Sequence, residues 1–128
     1  MAIIITEIKL HHSTFILYSN TILEIYLNDN CFYTMTECVD IEIAIEKLRK
    51  QSELRVILIA GLYSDSDAEA RQFAASDKIF KNIIAMAMVT RSLAQDLLGN
   101  FIIAFDKPSK PAKVFHSREK AMDWILKT

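Results

Sequence analysis

The sequence predicts an α/β fold: one domain over residues 1–128, with a mixed sheet of about five strands and about four helices packed on it. Three observations predict it. Val56, Ile57, Leu58, Ile59 and Ala60 form an apolar run without alternation, as do the residues from Ile83 to Val89, and such runs read as strands buried on both faces. A helix signal lies between them, so the three make a βαβ unit. Upstream, two β-prone runs at 15–18 and 21–27 flank Ser19 and Asn20, the pattern of a hairpin.

Composition bounds the rest. A hydrophobic fraction of 52% with only two Gly and two Pro describes a compact chain with short connections. Fifteen basic against sixteen acidic residues leave a net charge of −1, so no global charge draws the chain to nucleic acid or to an anionic membrane. Cys31 and Cys38 have no CxxC spacing and no histidine cluster around them, so they predict neither a zinc site nor a disulfide framework. They read as free thiols in a reducing cytoplasm. The opening residues lack a signal-peptide pattern, and the longest apolar run is far below membrane-spanning length. A soluble, cytoplasmic protein is the expectation.

Taken in order, the mixed apolar and charged residues 2–10 fix neither strand nor helix, and 1–12 fit an extra N-terminal strand or an extension. The hairpin follows, closed by the turn chemistry of Asn28, Asp29 and Asn30. Thr34 and Glu37 form a capping box, after which Met35, Cys38, Ile41, Ile45 and Leu48 recur on one face of a helix of about four turns. Its acids precede its bases, the order the helix dipole favours, so its charges read as a solvated face. Past the central strand come Gly61 and a polar turn, where Ser66 and Glu69 form a second capping box for a short helix ending near Ser76. From Thr90 on, Ala94, Leu97, Leu98, Phe101, Ile102 and Phe105 fit one helical face, whereas Gly99 and Asn100 offer a break that would leave 101–105 as a strand. We read one helix, in which Gly99→Ala would be neutral or gain up to about 1 kcal/mol. Residues 106–111 are a loop by their prolines, 112–115 a short last strand, and Ser117 caps a final helix with Ala121, Trp124 and Ile125 facing in.

No residue set declares a reaction. His11 and His12 are adjacent, so their side chains diverge and chelate nothing; they read as solvated loop histidines, and His116 as a surface residue. Asp65, Asp67 and Glu69 lack the Gly and Glu register of a calcium loop, and Gly61 lacks the companion glycines of a phosphate cradle. No serine or cysteine sits in a nucleophile elbow. Neither cofactor, metal nor enzymatic activity is expected. Met86, Met88 and Met122 read as core fillers, and Lys107, Lys110, Lys113, Arg118 and Lys120 as exposed loop and helix charges. The turn at the carboxyl end of the central strand is where open α/β sheets place ligands or partners.

This order of elements, with Tyr63 to Arg71 as turn plus helix, Val89-Thr-Arg-Ser92 leaving a strand, Gly99-Asn-Phe101, Lys107-Pro108 with Pro111, and Val114-Phe115 followed by Glu119 to Ile125, resembles the STAS-like superfamily. That is the fold of bacterial anti-sigma-factor antagonists, and the closest likeness is to its divergent branch of small uncharacterised bacterial proteins. The resemblance implies a non-enzymatic regulatory or protein-interaction domain with an unidentified protein partner. In the antagonists a serine in the loop after the central strand is phosphorylated by a partner kinase. Here Ser64, Asp65, Ser66 and Asp67 occupy that turn without the antagonists' glycine, so the resemblance marks Tyr63, Ser64, Asp65, Ser66 and Arg71 as a candidate partner or phospho-switch loop. The alternative is a carrier that binds an apolar small molecule or lipid between a helix and the sheet, suggested by the apolar fraction and by Phe101, Ile102 and Phe105. The same apolar fraction predicts self-association as a dimer.

Overall fold

The computed structural model describes residues 2–128. The chain runs β1 (Ile4–Lys9), β2 (Ser13–Tyr18), β3 (Ile22–Leu27), β4 (Phe32–Tyr33), α1 (Met35–Arg49), β5 (Leu54–Ile59), β6 (Asp65–Ser66), α2 (Ala68–Ala74), α3 (Asp77–Phe80), β7 (Ile83–Val89), α4 (Leu93–Phe101), a π-helical stretch Ile102–Asp106, β8 (Ala112–Phe115) and α5 (Arg118–Ile125). Six strands make the main sheet in the order β1-β2-β3-β5-β7-β8, and β4 pairs with β6 in a small second sheet. β1, β2 and β3 are antiparallel neighbours, while β3, β5, β7 and β8 run parallel.

The apolar runs acquire their meaning from this order. β5 and β7 are the interior parallel strands, so both of their faces are covered and neither alternates. On one face, Leu23, Ile25, Val56 and Met86 pack with Ala44, Ile45 and Leu48 of α1 and with Ile79 and Phe80 of α3. On the other, Ile22, Ile57, Ala85 and Ala87 pack with Ala121 and Ile125 of α5. The alanines of β7 leave room for that helix to lie close to the sheet.

Residues 4–9 are the N-terminal strand β1, joined to β2 along the sheet edge. The capping box of α1 is present at both of its bonds, Thr34 and Glu37 reciprocally. The segment from Leu93 to Asp106 is helical throughout and Gly99 keeps a negative φ, so 101–105 is not a strand. The second capping box is corrected: α2 begins one residue later than its sequence suggests, and Asp67 rather than Ser66 is the cap, accepting from Ala70 N–H at 2.8 Å. Ser66 is held instead in the β4–β6 pairing opposite Tyr33, which keeps it extended.

Candidate functional site

A cavity of about 200 Å³ opens between the sheet and the helices α1, α2 and α4. Its lining is almost wholly apolar, from Ile25 and Leu58 on the sheet to Ile41 on α1, Phe73 on α2 and Leu98 and Ile102 on the α4 side. Polar groups gather at one end, where Ser64, Asp65, Ser66, Arg71 and Gln95 border it. Cys38 also lines the cavity; burial, with Glu37 and Asp67 nearby, pushes its thiol up to about 11, so it is a neutral apolar wall rather than a thiolate. The structure therefore brings Ser64, Asp65, Ser66 and Arg71 to the rim of the cavity, while Tyr63 points into solvent at 82% exposure.

That rim is held from several sides. Gly61 leaves β5 so close to the end of β3 that an added Cβ would lie 2.2 Å from the Asn28 carbonyl oxygen, which is why only glycine fits there. Leu62 N–H donates to Asp29 Oδ1 at 2.7 Å, Asn30 N–H to the Leu62 carbonyl at 2.8 Å, and Asp65 N–H to the Cys31 carbonyl at 3.1 Å. Tyr63 takes a left-handed φ of 57°, an uncommon conformation for a bulky residue, and this turns the chain back toward β6. Ser64 Oγ donates to the Gly61 carbonyl at 2.9 Å, and Gln95 Nε2 reaches that same carbonyl from α4, also at 2.9 Å. Arg71 Nη1 donates to the Ser66 carbonyl.

Two buried polar networks lie outside the cavity. His12 is 1% exposed, which corrects the expectation of a solvated loop histidine. It tucks under α1 at the entry to β2, where Nε2 faces Asp40 Oδ2 at 3.2 Å and Nδ1 faces Ser13 Oγ at 2.8 Å. The Asp40 carboxylate needs a donor, so Nε2 carries a hydrogen, and in the neutral ring the Ser13 hydroxyl donates to Nδ1. Acid, imidazole and hydroxyl stand in line as in an acyl-transfer triad, but Ser13 is wholly buried and does not line the cavity, so its oxygen meets no substrate. Tyr33 closes the network by donating to the His12 carbonyl, and burial pushes its hydroxyl up to about 12. His11 is exposed, and His116 is a surface residue whose Nε2 faces Asp96 Oδ1 at 3.0 Å.

Glu24 is the second case. It is fully buried on β3, where Arg118 embraces it with Nε and Nη2 and Tyr26 donates to Oε2 at 3.0 Å. Burial raises its pKa, yet the bonds from Arg118, Tyr18 and Tyr26 outweigh that, so the carboxyl titrates below its usual range. Arg118, at 47% exposure, is thus no free surface charge but the anchor of α5, and Lys110 likewise donates to the Phe80 and Ile83 carbonyls. The sequence carried a sign of Glu24: a lone charge inside the apolar run Ile22, Leu23 and Ile25.

Elsewhere, α4 and the π-helical stretch that continues it present Leu93, Leu97, Phe101 and Phe105 to solvent at 53% to 74% exposure, with Phe101 and Phe105 stacked at 4.5 Å between centroids. Both cysteines are free. Among the described residues no group of three or more His, Cys, Asp or Glu is placed to hold a metal, and no helix is long and apolar enough to cross a membrane.

The sheet order and the helices on both of its faces are those of a SpoIIAA-like, or STAS-like, α/β fold. The fold is shared with the crystal structure of an uncharacterized protein from the DUF3478 family with a SpoIIAA-like fold from Shewanella loihica PV-4, at a TM-score of 0.60 over 98% of this chain and 95% of that one. Identity is 12%, so this likeness speaks for the fold alone. Residues 16–128 match the model of the Domain of unknown function (DUF7793), and the chain belongs to that family. No curated protein matches it.

Proposed function

We propose that this protein is a non-enzymatic regulatory domain that takes a small apolar molecule into the cavity between α1, α2, α4 and the sheet. The observation that carries the reading is the cavity itself: about 200 Å³ of apolar space with its few polar groups gathered at one end, the pattern of a small-molecule site. A molecule seated there touches Ser64, Asp65 and Ser66 from beneath, so occupancy is passed to the loop whose tip, Tyr63, faces a protein partner. Phosphorylation of Ser64 or Ser66 is a second input to that loop. The added charge would meet Asp65, Asp67 and Glu69 and loosen the turn. Free Cys31 and Cys38 fit a reducing, cytoplasmic setting.

Native mass spectrometry of the purified protein tests this. A co-purified small molecule, or uptake of added apolar probes at one equivalent, is expected. A clean apo mass that no apolar probe shifts would end the reading.

A second reading concerns the outer face of α4, for which we propose a second copy of the chain as occupant. Leu93, Leu97, Phe101 and Phe105 expose on the order of 500 Å², so a symmetric pair would bury about 1,000 Å², the low end for a specific interface. Antiparallel pairing sets Leu93 opposite Phe105 and Leu97 opposite Phe101, and it opposes the helix dipoles. Sedimentation should show a weak dimer that Leu97→Glu abolishes; a monomer at tens of micromolar, roughly the range of such contacts, would refute it.

A further inference from the structure

We infer that the molecule held in the cavity carries one carboxylate, seated at the rim on Arg71 and Ser66. The inference rests on the cavity reading above and names the chemistry of its ligand. Arg71 is half-buried and lines an otherwise apolar space, and its guanidinium spends one donor on the Ser66 carbonyl. Among the described residues it has no other hydrogen-bond partner and no carboxylate pairs with it, whereas the carboxylates of Glu46 and Glu24 accept from Arg49 and Arg118. A partly desolvated cation with unspent donors favours an anion, and the planar guanidinium favours one that accepts two parallel bonds.

Ser66 supplies a second donor. Because Asp67 caps α2, the Ser66 hydroxyl is not drawn into the helix, and it makes no hydrogen bond among the described residues. Arg71 and Ser66 lie together, since the guanidinium rests on the backbone of residue 66. The same rim sets the charge of the ligand. Asp65 borders the cavity and Asp67 stands at the head of α2, so a monoanion is tolerated on Arg71 while a dianionic phosphate meets two carboxylates. The space suits a small body: a cavity of roughly 150 Å³ holds benzene, and this one is slightly larger, enough for one substituted ring with its carboxylate at the mouth.

The test compares three probes that share an aromatic body, 3-phenylpropionate, 3-phenylpropan-1-ol and 2-phenylethyl phosphate, by NMR titration of the labelled protein near neutral pH. The carboxylate should bind about tenfold more tightly than the alcohol, and the phosphate no better than the alcohol. Arg71→Gln should bring the carboxylate down to the level of the alcohol while the alcohol keeps its wild-type affinity, which also shows that the variant is folded. Ser66→Ala should narrow the preference about threefold. Equal binding of acid and alcohol, or a preference that survives Arg71→Gln, would overturn the carboxylate assignment and leave the cavity reading intact. Tighter binding of the phosphate would overturn the monoanion. Failure of all three probes to bind would overturn the assignment together with the reading it rests on.

Discussion

Placing a methyl group on Gly99 measures how α4 sits on the sheet. Gly99 has helical backbone in the middle of α4, so by propensity alone Ala would stabilise the helix by about 1 kcal/mol. Packing opposes this. A Cβ at this position would stand 2.9 Å from Val114 Cγ2, short of the roughly 3.5–4.0 Å at which two carbons rest. Val114 is β-branched and stiff at χ1, and as part of β8 it is fixed by the ladder to β7, so relief requires either a poor rotamer or separation of α4 from β8. Overpacking of this kind costs about 1–3 kcal/mol, and subtracting the propensity gain leaves a net loss of about 1 kcal/mol. Val114→Ala removes the opposing methyl, so on that background Gly99→Ala should gain about 1 kcal/mol, a coupling near 2 kcal/mol in the double-mutant cycle. Urea unfolding of the four proteins reads both quantities. A gain from Gly99→Ala alone, or a coupling of zero, would mean that α4 does not rest on Val114.

Gly61→Ala should cost at least about 3 kcal/mol in the same assay, because the atoms it meets are the backbone of Leu27 and Asn28, which cannot rotate away; a loss below 1 kcal/mol would contradict that crossing. Asp67→Ala should cost about 1 kcal/mol and Ser66→Ala close to nothing, since Asp67 alone caps α2; the reverse order in thermal unfolding would restore the capping box. Arg118→Met should cost about 3 kcal/mol at neutral pH by leaving the Glu24 carboxylate buried with only tyrosine hydroxyls. In the wild type the carboxyl is held below its ordinary value of 4.5, so its contribution is present above that pH and lost as pH falls through the lowered value. Without Arg118 its bond and charge no longer lower the pKa, so the carboxyl titrates higher than in the wild type; the cost of Arg118→Met should then shrink as pH falls, and a pH-independent difference would refute the pairing.

What the sequence revealed was what local pattern controls. The buried strands β5 and β7, the hairpin of β2 and β3 and the capped helix α1 each announce themselves through periodicity, turn residues and caps within a dozen positions. The helix through Gly99 was legible too, since Leu98, Ile102 and their neighbours keep the stripe despite the glycine. What stayed hidden depends on distant partners. His12 is buried by Asp40 on a helix that starts 23 residues on, and Ser66 loses its cap role to a pairing with Tyr33. The turn after the central strand was marked from its position at a strand end, and its individual residues from the resemblance; of these, Ser64, Asp65, Ser66 and Arg71 border the cavity. The cavity itself is a gap between α1, α2 and α4, and gaps are set by packing distances that no stretch of residues encodes.

The embrace of Glu24 by Arg118 spans 94 positions of sequence, and it bears on how the chain is made. At about 5–20 residues added per second, roughly 5–20 s separate the synthesis of the carboxylate from that of its cation. Until α5 is made, Glu24 lies on the side of the sheet that this helix covers, and the apolar surface of Ile22, Ile57 and Ala87 beside it has no lid. That face of the sheet therefore gains its cover only with α5, and the same helix brings the cation that the buried carboxylate needs.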